Sequence, residues 1–60
     1  MQLNLPKDPV MLLSAVNMKL RDFYHNLDQF CEDLDVDKKW LTETLEKIDY
    51  YYDEDKNQFI

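Results

Sequence analysis

Apolar residues recur at two spacings along this chain, and the change from one to the other divides it. From Leu12 to Phe23 the positions Leu12, Leu13, Val16, Leu20 and then Phe23 or Tyr24 return every three to four residues, the period of an amphipathic helix. Asp8 and Pro9 suit the start of that helix: the carboxylate accepts orphan amide hydrogens and the proline ring fits the first helical position. The spacing predicts helix 1 over 8–24. Residues 1–7 contain Pro6 and show no period, so they read as an extended lead-in.

His25 and Asn26 break the stripe. Asn26, followed three residues later by Gln29, resembles a capping box that opens a second helix over 27–34, with Leu27, Phe30, Cys31 and Leu34 on one face. Asp35-Val36-Asp37 leaves room only for a tight turn. Asp37 is placed to cap helix 3 over 37–48, whose stripe is Leu41, Leu45 and Ile48. Beyond it the period falls to two. In Asp49-Tyr50-Tyr51-Tyr52-Asp53 the polar ends share a face with Tyr51, so Tyr50 and Tyr52 point the other way, and Gln58-Phe59-Ile60 can return beside them as a hairpin over 49–60 with Phe59 next to Tyr52. Such a hairpin is marginal alone and must pack on the helices.

The expected architecture is therefore mainly α: a three-helix bundle of helix-turn-helix type followed by a C-terminal β-hairpin, a miniature winged-helix-like arrangement in a single domain over 1–60. Its expected core is Leu12, Leu13, Val16, Leu20, Phe23, Leu27, Phe30, Leu34, Leu41, Leu45, Ile48, Tyr52 and Phe59. Cys31 takes a small buried position and Val36 plugs the turn. The chain has no glycine, so left-handed turn positions fall to Asn and Asp.

Composition narrows what such a domain can do. At 60 residues and 45% hydrophobic, the chain has enough apolar side chains to fold but only a thin core. A single cysteine excludes an internal disulfide and fits a reducing cytoplasm. The apolar stretch from Val10 to Val16 is far shorter than the ~20 residues of a membrane span, and the chain reads as having neither a span nor a secretion signal. Thirteen acidic against seven basic residues give a net charge of -6, which repels phosphate backbones and favours basic partners.

Helix-turn-helix order does not by itself imply DNA binding. A reading helix would show Lys38, Lys39, Thr42, Glu43, Glu46 and Lys47, where lysines and glutamates nearly cancel, and the wing Asp53-Glu54-Asp55-Lys56 is acidic. Lys38, Lys39, Thr42 and Lys47 are the candidate residues for that alternative, an accessory nucleic-acid-binding domain. The preferred expectation is a protein-interaction module. Trp40, on the shoulder of the core stripe and in one row with Thr44 and Lys47, is expected half exposed, and Tyr51 lies on the polar face of the first strand. Trp40, Tyr51, Thr44 and Lys47 are the candidate contacts, for an unknown protein partner or for a second copy of this chain in a homodimer.

Catalysis is not expected. Asp53, Asp55 and Asn57 match the opening of an EF-hand loop, but Gln58 stands at its glycine position. Asp33, Asp35 and Asp37 fail likewise, with Lys38 at the glycine position and Thr44 where the bidentate Glu belongs. His25 and Cys31 are too few for a zinc site and lack an orienting third group for nucleophilic chemistry, so no metal or cofactor is expected.

Four runs, LPKDPVMLLS from Leu5, NMKLRD from Asn17, IDYYYD from Ile48 and NQF from Asn57, carry a resemblance that spans Leu5 to Phe59. Together they resemble a family of short bacterial proteins catalogued only as a domain of unknown function. The resemblance implies a free-standing cytoplasmic protein and brings no activity, ligand or catalytic residue. His25 and Trp40 look like departures from the commoner pattern of that family.

Overall fold

The structure is a computed structural model and describes residues 5–60. Helix α1 runs over Pro9–Phe23, α2 over Leu27–Leu34 and α3 over Lys38–Glu46; strands β1 (Tyr52–Asp53) and β2 (Gln58–Phe59) follow as an antiparallel hairpin. The fold is thus mainly α, three helices and then a two-stranded hairpin, in the order the periodicities predict.

Each helix begins on a side chain that accepts an amide hydrogen the helix itself cannot satisfy. Asp8 Oδ2 accepts from Met11 N at 3.1 Å, Asn26 Oδ1 from Gln29 N at 2.7 Å, and Asp37 Oδ1 from Lys39 N at 3.0 Å. The reciprocal half of the capping box is shifted by one residue, since Gln29 Oε1 accepts from His25 N rather than from Asn26. Asp8 and Asp37 are thus the N-caps that the sequence places at the starts of α1 and α3.

Two of the three helices, α2 and α3, end on a left-handed turn in a position where glycine is usual. Asp35 (φ 55°) and Asp49 (φ 64°) adopt the left-handed conformation there. After α2, Val36 N donates to Cys31 O at 2.8 Å and Asp35 N to Glu32 O at 3.4 Å. After α3, Tyr50 N donates to Leu45 O at 3.0 Å and Asp49 N to Glu46 O at 2.9 Å. Both are the paired bonds of a Schellman ending, with Asp where glycine is usual. This ending stops α3 at Glu46, two residues before the expected Ile48. It also places Tyr50 in the turn rather than in a strand, so Tyr50 is exposed instead of facing the core with Tyr52.

The core is Leu12, Val16 and Leu20 from α1, Leu27, Phe30 and Cys31 from α2, Leu41 and Leu45 from α3, and Phe59 from β2. Leu5, Leu13, Tyr24, Leu34, Val36, Ile48 and Tyr52 pack against its edge. Burying one such side chain contributes about 1.5–3 kcal/mol, so few are dispensable in a domain of this size. Of the expected lead-in, residues 1–4 lie outside the described residues, while Leu5 docks on the core.

One expected core residue is outside it. Phe23 is 71% exposed, and Tyr24 takes the inward place, its ring meeting Phe30 edge-on at 5.6 Å and 87°. At 3.6 residues per turn, Tyr24 lies about 40° from the Leu20 direction and Phe23 about 60°. The helix also stops at Phe23, and the extended backbone of Tyr24 (φ -128°, ψ 146°) carries its side chain towards α2.

The hairpin is fastened by polar side chains. Phe59 N donates to Asn17 Oδ1 at 2.8 Å, and Asn17 Nδ2 returns a bond to Phe59 O at 3.0 Å, so one amide side chain of α1 pairs with β2 as a further strand would. Asn57 (φ 53°) turns inward, where its Nδ2 donates to Leu20 O at 3.1 Å and Tyr24 O at 2.9 Å. Its Oδ1 accepts from the Tyr52 hydroxyl at 2.7 Å, and that hydroxyl oxygen accepts from Leu27 N at 3.1 Å. The carbonyls at the end of α1 and the first amide of α2 are thus satisfied through two hairpin residues. Tyr52 lies beside Phe59 as expected, with ring centroids 5.5 Å apart and the rings tilted by 57°.

Candidate functional site

Trp40 lies on α3 one residue before Leu41, which is wholly buried. That offset leaves its indole 40% exposed at the rim of the core, where the stripe places it. Beside it opens a depression of about 560 Å³ lined by Lys7, Pro9, Trp40, Thr44 and Lys47. An indole and a proline ring supply apolar surface there, and two ammonium groups supply positive charge on a chain whose net charge is -6.

Three of the four candidate contacts meet at this depression, but not in the expected way. Lys47 is exposed at its margin. Thr44 is 8% exposed, and its hydroxyl donates to Trp40 O at 2.7 Å. It therefore forms part of the floor and fixes the backbone under the indole, which corrects its expected role as a projecting contact. Tyr51 is 54% exposed but sits at the mouth of the hairpin, where its backbone exchanges two hydrogen bonds with Ile60, and it does not line the depression. Lys7 is not legible as a site residue because the lead-in carries no period that says which way it folds back, and Pro9 because its fit to the start of α1 accounts for it without a site.

The alternative cationic set is weaker in space than in sequence. Lys38 Nζ is 2.7 Å from Asp28 Oδ1, and that carboxylate holds the ammonium protonated beyond its ordinary range. Thr42 donates its hydroxyl to Lys39 O at 3.1 Å, an interaction within its own helix. Lys38 also borders a second depression, with Asn26, Leu27, Asp28, Tyr52 and Glu54, in which two carboxylates face one ammonium.

The acidic turns do not assemble a cation cage. Asp53 Oδ1 accepts from the amides of Asp55 and Lys56 at 2.9 and 3.2 Å, closing the hairpin turn, while Asn57 points the other way into the fold. Among the described residues no three His, Cys, Asp or Glu side chains come together as metal ligands. Cys31 is buried, and burial pushes its thiol above the usual range, with Asp28 and Asp37 adding to the effect against Lys38. His25 is exposed beyond the end of α1.

No helix of the described residues is long and apolar enough to cross a membrane. Comparison with known proteins finds no matching curated protein and no matching solved structure. Asn17, Tyr52, Asn57 and Phe59, which lie in the runs that carry the family resemblance, are the residues that fasten the hairpin to α1 and α2. A family model does match, over residues 6–59, and the chain belongs to that family, the domain of unknown function DUF4250.

Proposed function

We propose that this chain is a non-catalytic, cytoplasmic protein-interaction module that holds its partner at the Trp40 depression. The observation that carries the reading is the placement of a half-exposed indole beside a hollow of about 560 Å³ with a lysine from each of two segments on its border. An aromatic ring that is already held by its neighbours on one side loses little entropy on binding and supplies a large contact area. Lys7 and Lys47 suit an occupant that presents an apolar anchor flanked by a carboxylate. Tyr51 extends the surface only if the partner reaches across to the hairpin.

The accessory nucleic-acid reading lacks a comparable support, since Lys38 is engaged with Asp28 and the hairpin turn is acidic. Affinity capture with the wild-type chain, Trp40→Ala and Lys47→Glu, followed by mass spectrometry, tests the proposal. Expected is a set of proteins retained by the wild type and lost from both variants, with circular dichroism unchanged. The same proteins retained by all three would remove the Trp40 depression from the account, and saturable, salt-sensitive binding to random duplex DNA would replace it with the nucleic-acid reading.

A further inference from the structure

The ring that leaves the core at the end of α1 borders a groove of its own. Phe23, the most exposed of the large apolar side chains among the described residues, lines a groove of about 490 Å³ with Tyr24, Gln29, Glu32 and Asp33. The Tyr24 hydroxyl donates to Asp33 Oδ2 at 2.6 Å, which orients that carboxylate at the groove wall. The aromatic face already attracts one cation, since Lys19 Nζ stands 5.7 Å from the centroid of Phe23. Of the neighbouring charges, Asp22 is forked by Arg21 at 2.9 and 3.2 Å and so cancels against it, leaving Glu32 and Asp33 to set the sign of the groove against Lys19.

We propose that this groove is a second docking surface, separate from the Trp40 depression, and that its occupant is an arginine-bearing basic segment of a partner protein. A guanidinium is planar and weakly hydrated, so it lies flat on an aromatic ring while its edge donates to carboxylates, whereas an ammonium does one or the other. Charge complementarity selects this occupant twice: locally through Glu32 and Asp33, and at long range through the net charge of -6, which draws cationic segments to the surface. A second copy of the chain meets the requirement poorly, because its one arginine, Arg21, is already forked on Asp22.

The test is fluorescence anisotropy at low ionic strength with a short labelled peptide of arginine, leucine and glycine, its lysine counterpart, and a counterpart in which neutral citrulline replaces arginine. Expected is saturable binding of the arginine peptide, weaker binding of the lysine peptide and none of the citrulline peptide. Phe23→Ala and Phe23→Leu should each lower affinity roughly two- to fivefold, the second because it keeps the apolar bulk without the π face. Glu32→Gln and Asp33→Asn should each lower it by up to about fivefold. Amide shifts on titration should centre on the Phe23 to Asp33 region. Trp40→Ala should leave the affinity unchanged, so this proposal fails or stands independently of the first. It is overturned by absence of binding, by equal binding of the citrulline peptide, by insensitivity to both Phe23 variants, by amide shifts centred on Trp40, or by shifts at Phe23 on dilution of the protein alone, which would assign the groove to a second copy.

Discussion

The two helix corners of this small fold are closed by opposite means. At the α2–α3 corner everything is local: Asp35 turns left-handed, Val36 and Asp35 donate back into the last turn of α2, and Asp37 caps α3. At the α1–α2 corner the N-cap is local, but the end of α1 and the first amide of α2 are satisfied by Asn57 and Tyr52, which lie 25 to 37 positions further along the chain. The first corner is thus specified by its own few residues. The second exists only as part of the assembled tertiary structure.

The contrast is sharpest for Asn57→Ala. It removes both amide donors to α1 and the acceptor of the Tyr52 hydroxyl, and leaves alanine at a positive φ. A loss of about 3 kcal/mol is expected, which for a domain of this size lowers Tm by roughly 12–24 °C in a calorimetric scan. A double-mutant cycle with Tyr52→Phe should show strong coupling, and additivity would mean that the two residues do not act as one relay.

Asp37→Ala, the local counterpart, deletes one cap bond and should cost about 1 kcal/mol, or roughly 4–8 °C, with no coupling to Tyr52→Phe. A larger loss than for Asn57→Ala would invert the comparison.

Tyr24 belongs to the remote corner and titrates accordingly. Its hydrogen bond to Asp33 is the largest of the effects that raise its phenol above the usual tyrosine range. Because the folded value lies above the unfolded one, this bond stabilises the fold fully below the unfolded value, and that contribution disappears as pH rises through the folded value. Ultraviolet absorbance titration of the native protein should show a phenol step displaced above the usual tyrosine range, which Tyr24→Phe should remove. The smallest effect is expected for Lys38→Ala, which breaks an exposed ion pair between the starts of α2 and α3 and should change stability by about 0.5 kcal/mol or less in urea unfolding.

What the sequence reveals follows the same division. Helix starts at Asp8, Asn26 and Asp37 are legible because a cap and the amide it serves are two or three residues apart. The Tyr52–Phe59 pairing is legible because period and turn length fix a hairpin register. Trp40 is legible as half exposed because its phase relative to Leu41 settles it. Phe23 is not, because the choice between it and Tyr24 depends on whether α1 stops at Phe23 or one residue later, a boundary at which Asn57, from the other end of the fold, binds the carbonyls of Leu20 and Tyr24. Lys7 and Pro9 at the Trp40 depression, and Asn17 of α1 against β2, are hidden for the same reason: each acquires its role from a contact distant in sequence.

The remote closure of the α1–α2 corner also has a temporal side. A ribosome delivers about 5–20 residues per second. Asn57 follows Tyr24, whose carbonyl it will bind, by 33 residues. α2 is complete at Leu34, 23 residues before Asn57, so for roughly 1–5 s after α2 is made the residue that closes its junction with α1 does not yet exist. Until the hairpin is made, the starts of α1 and α2 have their local caps at Asp8 and Asn26, while the carbonyls of Leu20 and Tyr24 are left to water.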